Sequence, residues 1–153
     1  MPLPAIPPWV GALVALLACG GALWKGAFEE RCAAVGLLCS MGLTLALRDT
    51  SWPKVQSAEF AADIANLGLL IWIALRSPKY WPMAAAGFQL LAVMTHVAKL
   101  VDRAVAQWAY LTAGIIWTYL LMIALVVGTA NASRARRAVQ AAGAPTPAGA
   151  MRR

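Results

Sequence analysis

The sequence predicts an all-α fold: a polytopic integral membrane protein, a bundle of five transmembrane helices with its N-terminus outside and its C-terminus inside. Three observations lead there. Of 153 residues, 61% are hydrophobic and 12% charged, against about 45–50% apolar and about 25% charged in a soluble domain. The chain cannot cover itself with water-compatible surface, which excludes disorder, a collagen-like fibre and a free soluble enzyme. The apolar residues fall in five runs, 9–24, 32–47, 60–75, 83–98 and 108–130. None alternates polar with apolar, and a chain in lipid must satisfy its backbone groups internally, as a helix does.

The first run follows Pro7 and Pro8 and carries a stripe of small residues, Gly11, Ala15, Ala18 or Cys19, and Ala22. It also contains Leu16-Leu17-Ala18-Cys19 followed by Gly20-Gly21, which resembles the lipobox of bacterial lipoproteins and, if processed, would leave four spans. No basic residue precedes it and hydrophobicity continues to Trp24, so the run is read as retained. The second run repeats the small-residue stripe with Cys32, Gly36 and Ser40. Such stripes let helix backbones approach closely, and the short connection favours packing of helix 1 on helix 2 over a homodimer seam. The third run is expected to start behind Ser57 as N-cap, and the fourth behind Pro78 and Pro82. The first four runs hold only 16 residues each, short for about 30 Å of hydrocarbon, so each borrows residues from its flanks.

Prolines punctuate the runs without entering them, and Trp9, Trp24, Trp52, Trp81 and Trp108 stand at or beside run ends, where an indole prefers the headgroup level. Trp72 and Trp117 lie deeper. Cys19, Cys32 and Cys39 form no CxxC pair and are expected as buried packing thiols. Residues 1–133 constitute the bundle and 134–153 a flexible basic cytoplasmic tail.

The net charge of +7 is spread between the runs rather than gathered into a patch interleaved with aromatics, so no nucleic-acid partner is expected. Instead it orients the chain. With the C-terminus inside, the inner face collects Lys25, Arg31, Arg76, Lys79, Arg134, Arg136 and Arg137, with Arg152 and Arg153 beyond, and the outer face only Arg48, Lys54, Lys99 and Arg103. The Asn131-Ala132-Ser133 sequon then falls inside and is not used.

The third helix carries the informative polar groups. Glu59, Asp63 and Asn66 stand at i, i+4 and i+7 and so share one face. Glu59 also suits the first turn of a helix capped by Ser57, whereas Asp63 lies beyond it. On the fourth helix Gln89, His96 and Arg103 recur every seven residues, with Lys99 near His96. For an antiparallel pair joined near 78–82, positions whose numbers sum to about 159 share one depth. Asp63 then faces His96, and Glu59 faces Lys99. This intramembrane cluster has two readings: mutually satisfied pairs that fix helix docking, or a protonatable or cation-binding site. Tyr110, Thr112, Thr118 and Tyr119 are expected to serve interhelical packing and hydrogen bonding.

No catalytic residues, cofactor or metal site are predicted: one histidine cannot form a bis-histidine haem site, and no HExxH, Walker loop, GxGxxG turn or nucleophile elbow occurs. The expected role is that of a non-catalytic subunit or interaction partner in the inner membrane, bound to a membrane protein or to copies of itself. An oligomeric proton- or cation-conducting transporter using Asp63 and His96 is the first alternative, a holin-like pore former the second.

Overall fold

The computed structural model of the protein describes residues 8–47, 52–102 and 106–142. Pro7, Arg48, Arg103, Arg152 and Arg153, used above for boundaries and orientation, lie outside the described residues. Among the described residues there are five α-helices and no strand: α1 (Pro8–Lys25), α2 (Phe28–Ala46), α3 (Trp52–Arg76), α4 (Trp81–Val101) and α5 (Gln107–Ala142). Segments Ser57–Arg76, Trp81–Val101 and Gln107–Ala142 are long and apolar enough to cross a membrane, while the apolar stretch Trp9–Lys25 of α1 is shorter. The first turn of α2 carries Glu29 and Glu30.

Two boundaries differ from expectation. Helix α3 begins at Trp52, with Pro53 in its first turn, where a missing N–H leaves no intrahelical bond unmade. Ser57 is therefore interior to the helix rather than its N-cap, and Glu59 lies past the first turn, so the helix-start account of that acid fails. Helix α5 continues to Ala142, so 134–142, expected as the start of a mobile tail, is helical. Alanine, arginine and glutamine are good helix formers, and no glycine or proline interrupts them before Gly143.

Each helix packs on the next, α5 returns to α1, and α2 also touches α5 across the ring. The directions follow from contacts. Ser40 meets Asn66 while Thr44 meets Glu59, and His96 meets Tyr110 while Trp81 meets Gly128, so α3 runs against α2 and α5 against α4. The short connection from Arg76 to Trp81, with Asp63 meeting His96, does the same for α3 and α4. The end of α1 lies by Ser133, while a methyl at Gly11 would meet the Tyr119 hydroxyl at 3.5 Å, so α1 and α5 are parallel.

All five helices supply the apolar core: Cys19 and Ala22, Ala33 and Ala34, Leu70 and Ile73, Trp81 and Ala85, Leu121 and Leu125. Small residues set the close approaches. A methyl at Gly36 would stand 2.6 Å from Asn66 Oδ1, and one at Gly128 would stand 2.7 Å from the Trp81 ring. The α1 stripe is buried against α5 as well as α2, with Ala15 and Ala18 packed around Met122, Met41 and Tyr119. Outward faces carry Leu17, Ile64, Ile71, Leu91, Ile115 and Ile123, all exposed; such a surface suits acyl chains and not water.

Two side-chain expectations are corrected. Only Cys19 of the three thiols is buried; Cys32 is half-buried and Cys39 exposed, because the second helix turns that edge outward. Trp9, Trp24 and Trp108 are exposed near helix ends, as a headgroup belt requires, but Trp81 is buried. Its ring fills the space opposite Gly128 and its indole N–H is needed by Glu30.

Candidate functional site

Asp63 lies on α3 six residues past Ser57, about 9 Å along the candidate span at ~1.5 Å per residue. Its carboxylate is held on both oxygens. Gln89 of α4 donates its amide N–H to Oδ1 at 2.9 Å, and also to the Asp63 carbonyl at 3.2 Å. His96, two helical turns further along α4, brings Nε2 to 3.0 Å from Oδ2. The opposite nitrogen, Nδ1, lies 2.9 Å from the Tyr110 hydroxyl of α5. Phe60 and Tyr110 flank the imidazole, each with its ring centroid 5.5 Å away. Gln89 and Tyr110 are buried and His96 is nearly so, while a quarter of the Asp63 side chain stays exposed.

The depth rule thus brings Asp63 and His96 together, with Gln89 as a further partner. Asn66 turns the other way. It is buried and donates to the Ser40 hydroxyl at 2.6 Å, and that hydroxyl donates to the Gly36 carbonyl at 3.2 Å, so Asn66 secures α3 to α2. Glu59 lies within the electrostatic reach of Asp63 and His96 and shares a hydrogen bond with Thr44 of α2. Lys99 occupies the last turn of α4, half-buried. Tyr110 is interhelical as expected and Tyr119 packs on α1. Thr112 and Thr118, however, donate to the carbonyls of Trp108 and Gly114 in their own helix. An exposed threonine satisfies itself this way when no neighbouring helix offers an acceptor.

A second polar group at the opposite end of the bundle is absent from the sequence reading. Glu30 is fully buried. Its Oε1 accepts the Trp81 indole N–H at 2.9 Å and the Lys79 ammonium at 3.0 Å, and its Oε2 accepts the Ala27 backbone N–H at 2.8 Å. Lys79 also reaches Glu29 at 3.1 Å. Burial alone would lower the Lys79 pKa, but hydrogen bonds and charge from Glu30 and Glu29 outweigh it and hold the ammonium above its ordinary value. The Glu29 carboxyl is held below its ordinary value, chiefly by a backbone hydrogen bond and with help from Lys79. This group ties the α1–α2 connection to the α3–α4 connection. The signal was present: two acids stand in the first turn of α2, and a lysine in the α3–α4 connection precedes the tryptophan that opens α4. Pairing only helices adjacent in sequence could not join them.

Chemically, the Asp63–His96–Tyr110 chain is complete in two protonation states. With His96 neutral, Nε2–H donates to the carboxylate and Tyr110 donates to Nδ1; with His96 charged, Nδ1–H donates to the tyrosine oxygen. No described buried side-chain polar atom lacks a partner. Among the described residues no cluster of three His, Cys, Asp or Glu side chains could hold a metal ion. Between Asn66 and Trp81 lies a cavity of about 10 Å³ with walls of Ala33, Leu37, Leu69, Leu70, Leu121 and Leu125, at the lower limit for one water and lined with too few polar partners to order it. No family model, curated protein or solved structure matches the chain.

Proposed function

We propose that the protein is a five-span, non-catalytic subunit of the cell inner membrane, N-terminus outside and C-terminus inside, that joins a partner membrane protein or further copies of itself. The observation that carries this reading is the closure of the intramembrane polar network. Asp63 uses both carboxylate oxygens and His96 both ring nitrogens on groups within the same chain. A conducting site needs polar groups or water continuing across the membrane. Here Ser40 and Glu30 are ten residues apart on α2, about 15 Å at ~1.5 Å per residue, and the small cavity in this zone is walled mainly by apolar side chains. The orientation is supported by basic residues: Lys25, Arg31, Arg76, Lys79, Arg134, Arg136 and Arg137 belong to the end that includes the start of α2 and the start of α4.

The test is direct. Protein reconstituted in liposomes should pass neither protons nor monovalent cations, and purification in mild detergent should bring down a stoichiometric membrane partner or a homo-oligomer. A flux abolished by Asp63→Asn would replace the subunit by the transporter. Abrupt collapse of respiration on induced expression would replace it by the holin-like pore former.

A further inference from the structure

We infer that the basic end of the bundle binds anionic phospholipid headgroups through a collar of six cations. Of the described acids, Glu59, Asp63 and Asp102 belong to the opposite end, leaving Glu29 and Glu30 here, and both are held by Lys79. Lys25, Arg31, Arg76, Arg134, Arg136 and Arg137 are all exposed, and none has a carboxylate partner among the described residues.

Their heights match a headgroup layer. Ser133 donates to the Thr129 carbonyl of its own helix at 2.8 Å, and its hydroxyl oxygen lies 3.4 Å from the Lys25 carbonyl oxygen, which sets the level of α5 against the end of α1. Arg134, Arg136 and Arg137 follow one to four residues later, so they rise about 1.5–6 Å beyond that level, within the ~5–7 Å that headgroups occupy on one side of a bilayer. Arg136 also reaches back to the Lys25 carbonyl, so the α5 extension is fastened to α1 at this height. Exposed Trp24, Phe28, Leu75 and Tyr80 stand on the same end and mark the interface. Arg76 lies over the Trp72 ring at 4.6 Å and Lys25 over the Trp24 ring at 5.6 Å, which keeps both cations beside aromatic faces.

Distribution selects the ligand. The six cations are carried by four of the five helices, so they surround the bundle rather than compose one face. A ring of separated cations suits several phosphate diesters, each taken by one or two side chains, and not a single acidic protein surface. Clusters of four to eight basic residues beside a membrane-crossing helix are the usual cationic recognition of acidic lipid.

The inference rests on this end lying at a membrane surface, and the experiment separates the two. Full-length protein purified in dodecyl maltoside is heated with phosphatidylglycerol, with phosphatidylcholine, with inorganic phosphate, or with poly-glutamate. Phosphatidylglycerol should raise the Tm by about 5 °C, with little change from the others, and about 1 M salt should remove the rise. R31Q/R76Q/R134Q/R137Q, which keeps Arg136 and its contact with α1, should lose most of it. An equal rise with phosphatidylcholine, or one that survives high salt in the wild type, overturns the proposal even if the variant does not fold. A rise with poly-glutamate and none with phosphatidylglycerol would give the collar to an acidic protein and also overturn it. Release from membranes by alkaline carbonate without detergent would instead defeat the membrane reading itself.

Discussion

An ionised carboxylate facing lipid near the bilayer centre costs about 2.5–3.5 kcal/mol, so the value of Asp63 to the fold depends on what meets it. Gln89 and His96 meet it directly, and Tyr110 supports the imidazole from behind. Removing only the acid leaves His96 and Gln89 with unmatched donors, so Asp63→Leu should lower stability by about 1–3 kcal/mol, the partial exposure of the pair keeping the loss below that of a fully buried one. Asp63→Leu with His96→Leu should cost less than the sum of the single changes. A double-mutant cycle on Tm in detergent with no coupling would remove the pair from the account. Lys79 and Glu29 give a pH prediction of opposite signs. The lysine is raised, so its contribution is complete below its ordinary 10.5 and is lost as pH climbs through the folded value. The glutamate is lowered, so its contribution is complete above its ordinary 4.5 and is lost as pH falls through the folded value. The Tm should therefore fall at both extremes, and Lys79→Met should lower the neutral Tm while flattening the alkaline fall. An alkaline limb that is unchanged in Lys79→Met would show that this lysine does not contribute to it.

Helix contacts divide the glycines into two kinds. Gly36 and Gly128 stand where a methyl would enter Asn66 and the Trp81 ring, and both neighbours are pinned, Asn66 by Ser40 and Trp81 by Glu30. Gly42 and Gly68 face open space. Gly36→Ala and Gly128→Ala should each destabilise by about 1–3 kcal/mol through overpacking, while Gly68→Ala should be neutral or slightly stabilising because alanine is the better helix former. Thermal melts of the three alanine variants check this, and equal Tm values across the set would mean that the α2–α3 and α4–α5 crossings are looser than described. Part of this was readable beforehand. Small-residue spacing at Gly36 and Ser40 announced a close crossing but assigned it to α1, whereas both residues meet α3 at Asn66; length with hydrophobicity located the five helices. The partner of a stripe was less readable, since α1 packs equally on α5, and only the closing of the ring makes those two neighbours. The start of α3 was also misplaced, because Ser57 was read as its N-cap when the helix begins at Trp52 with Pro53 in its first turn.

At the scale of the molecule, alternation of helix direction converts a linear sequence into two chemically different ends. Equal depth on an antiparallel pair made Asp63 and His96 legible from numbers alone, since a continuous helix rises uniformly and a short connection fixes the register. Glu30, Lys79 and Trp81 escaped that logic because their meeting depends on how two connections at one end sit beside each other. The same geometry yields a topology test. In a background with Cys19, Cys32 and Cys39 replaced by alanine, single cysteines at Phe28, which is exposed at the start of α2, and at Ser77 and Ala135 should be labelled by an impermeant reagent from one side of the membrane. Cysteines at Leu47 and Ala106 should be labelled from the other, and the charge bias assigns the first set to the inside. Labelling of Phe28 and Ser77 from opposite sides would sink the scheme. Those residues flank the two connections that the Glu30–Lys79–Trp81 group joins, and an α3 that crossed in the same sense as α4 would carry Asp63 away from His96 rather than level with it.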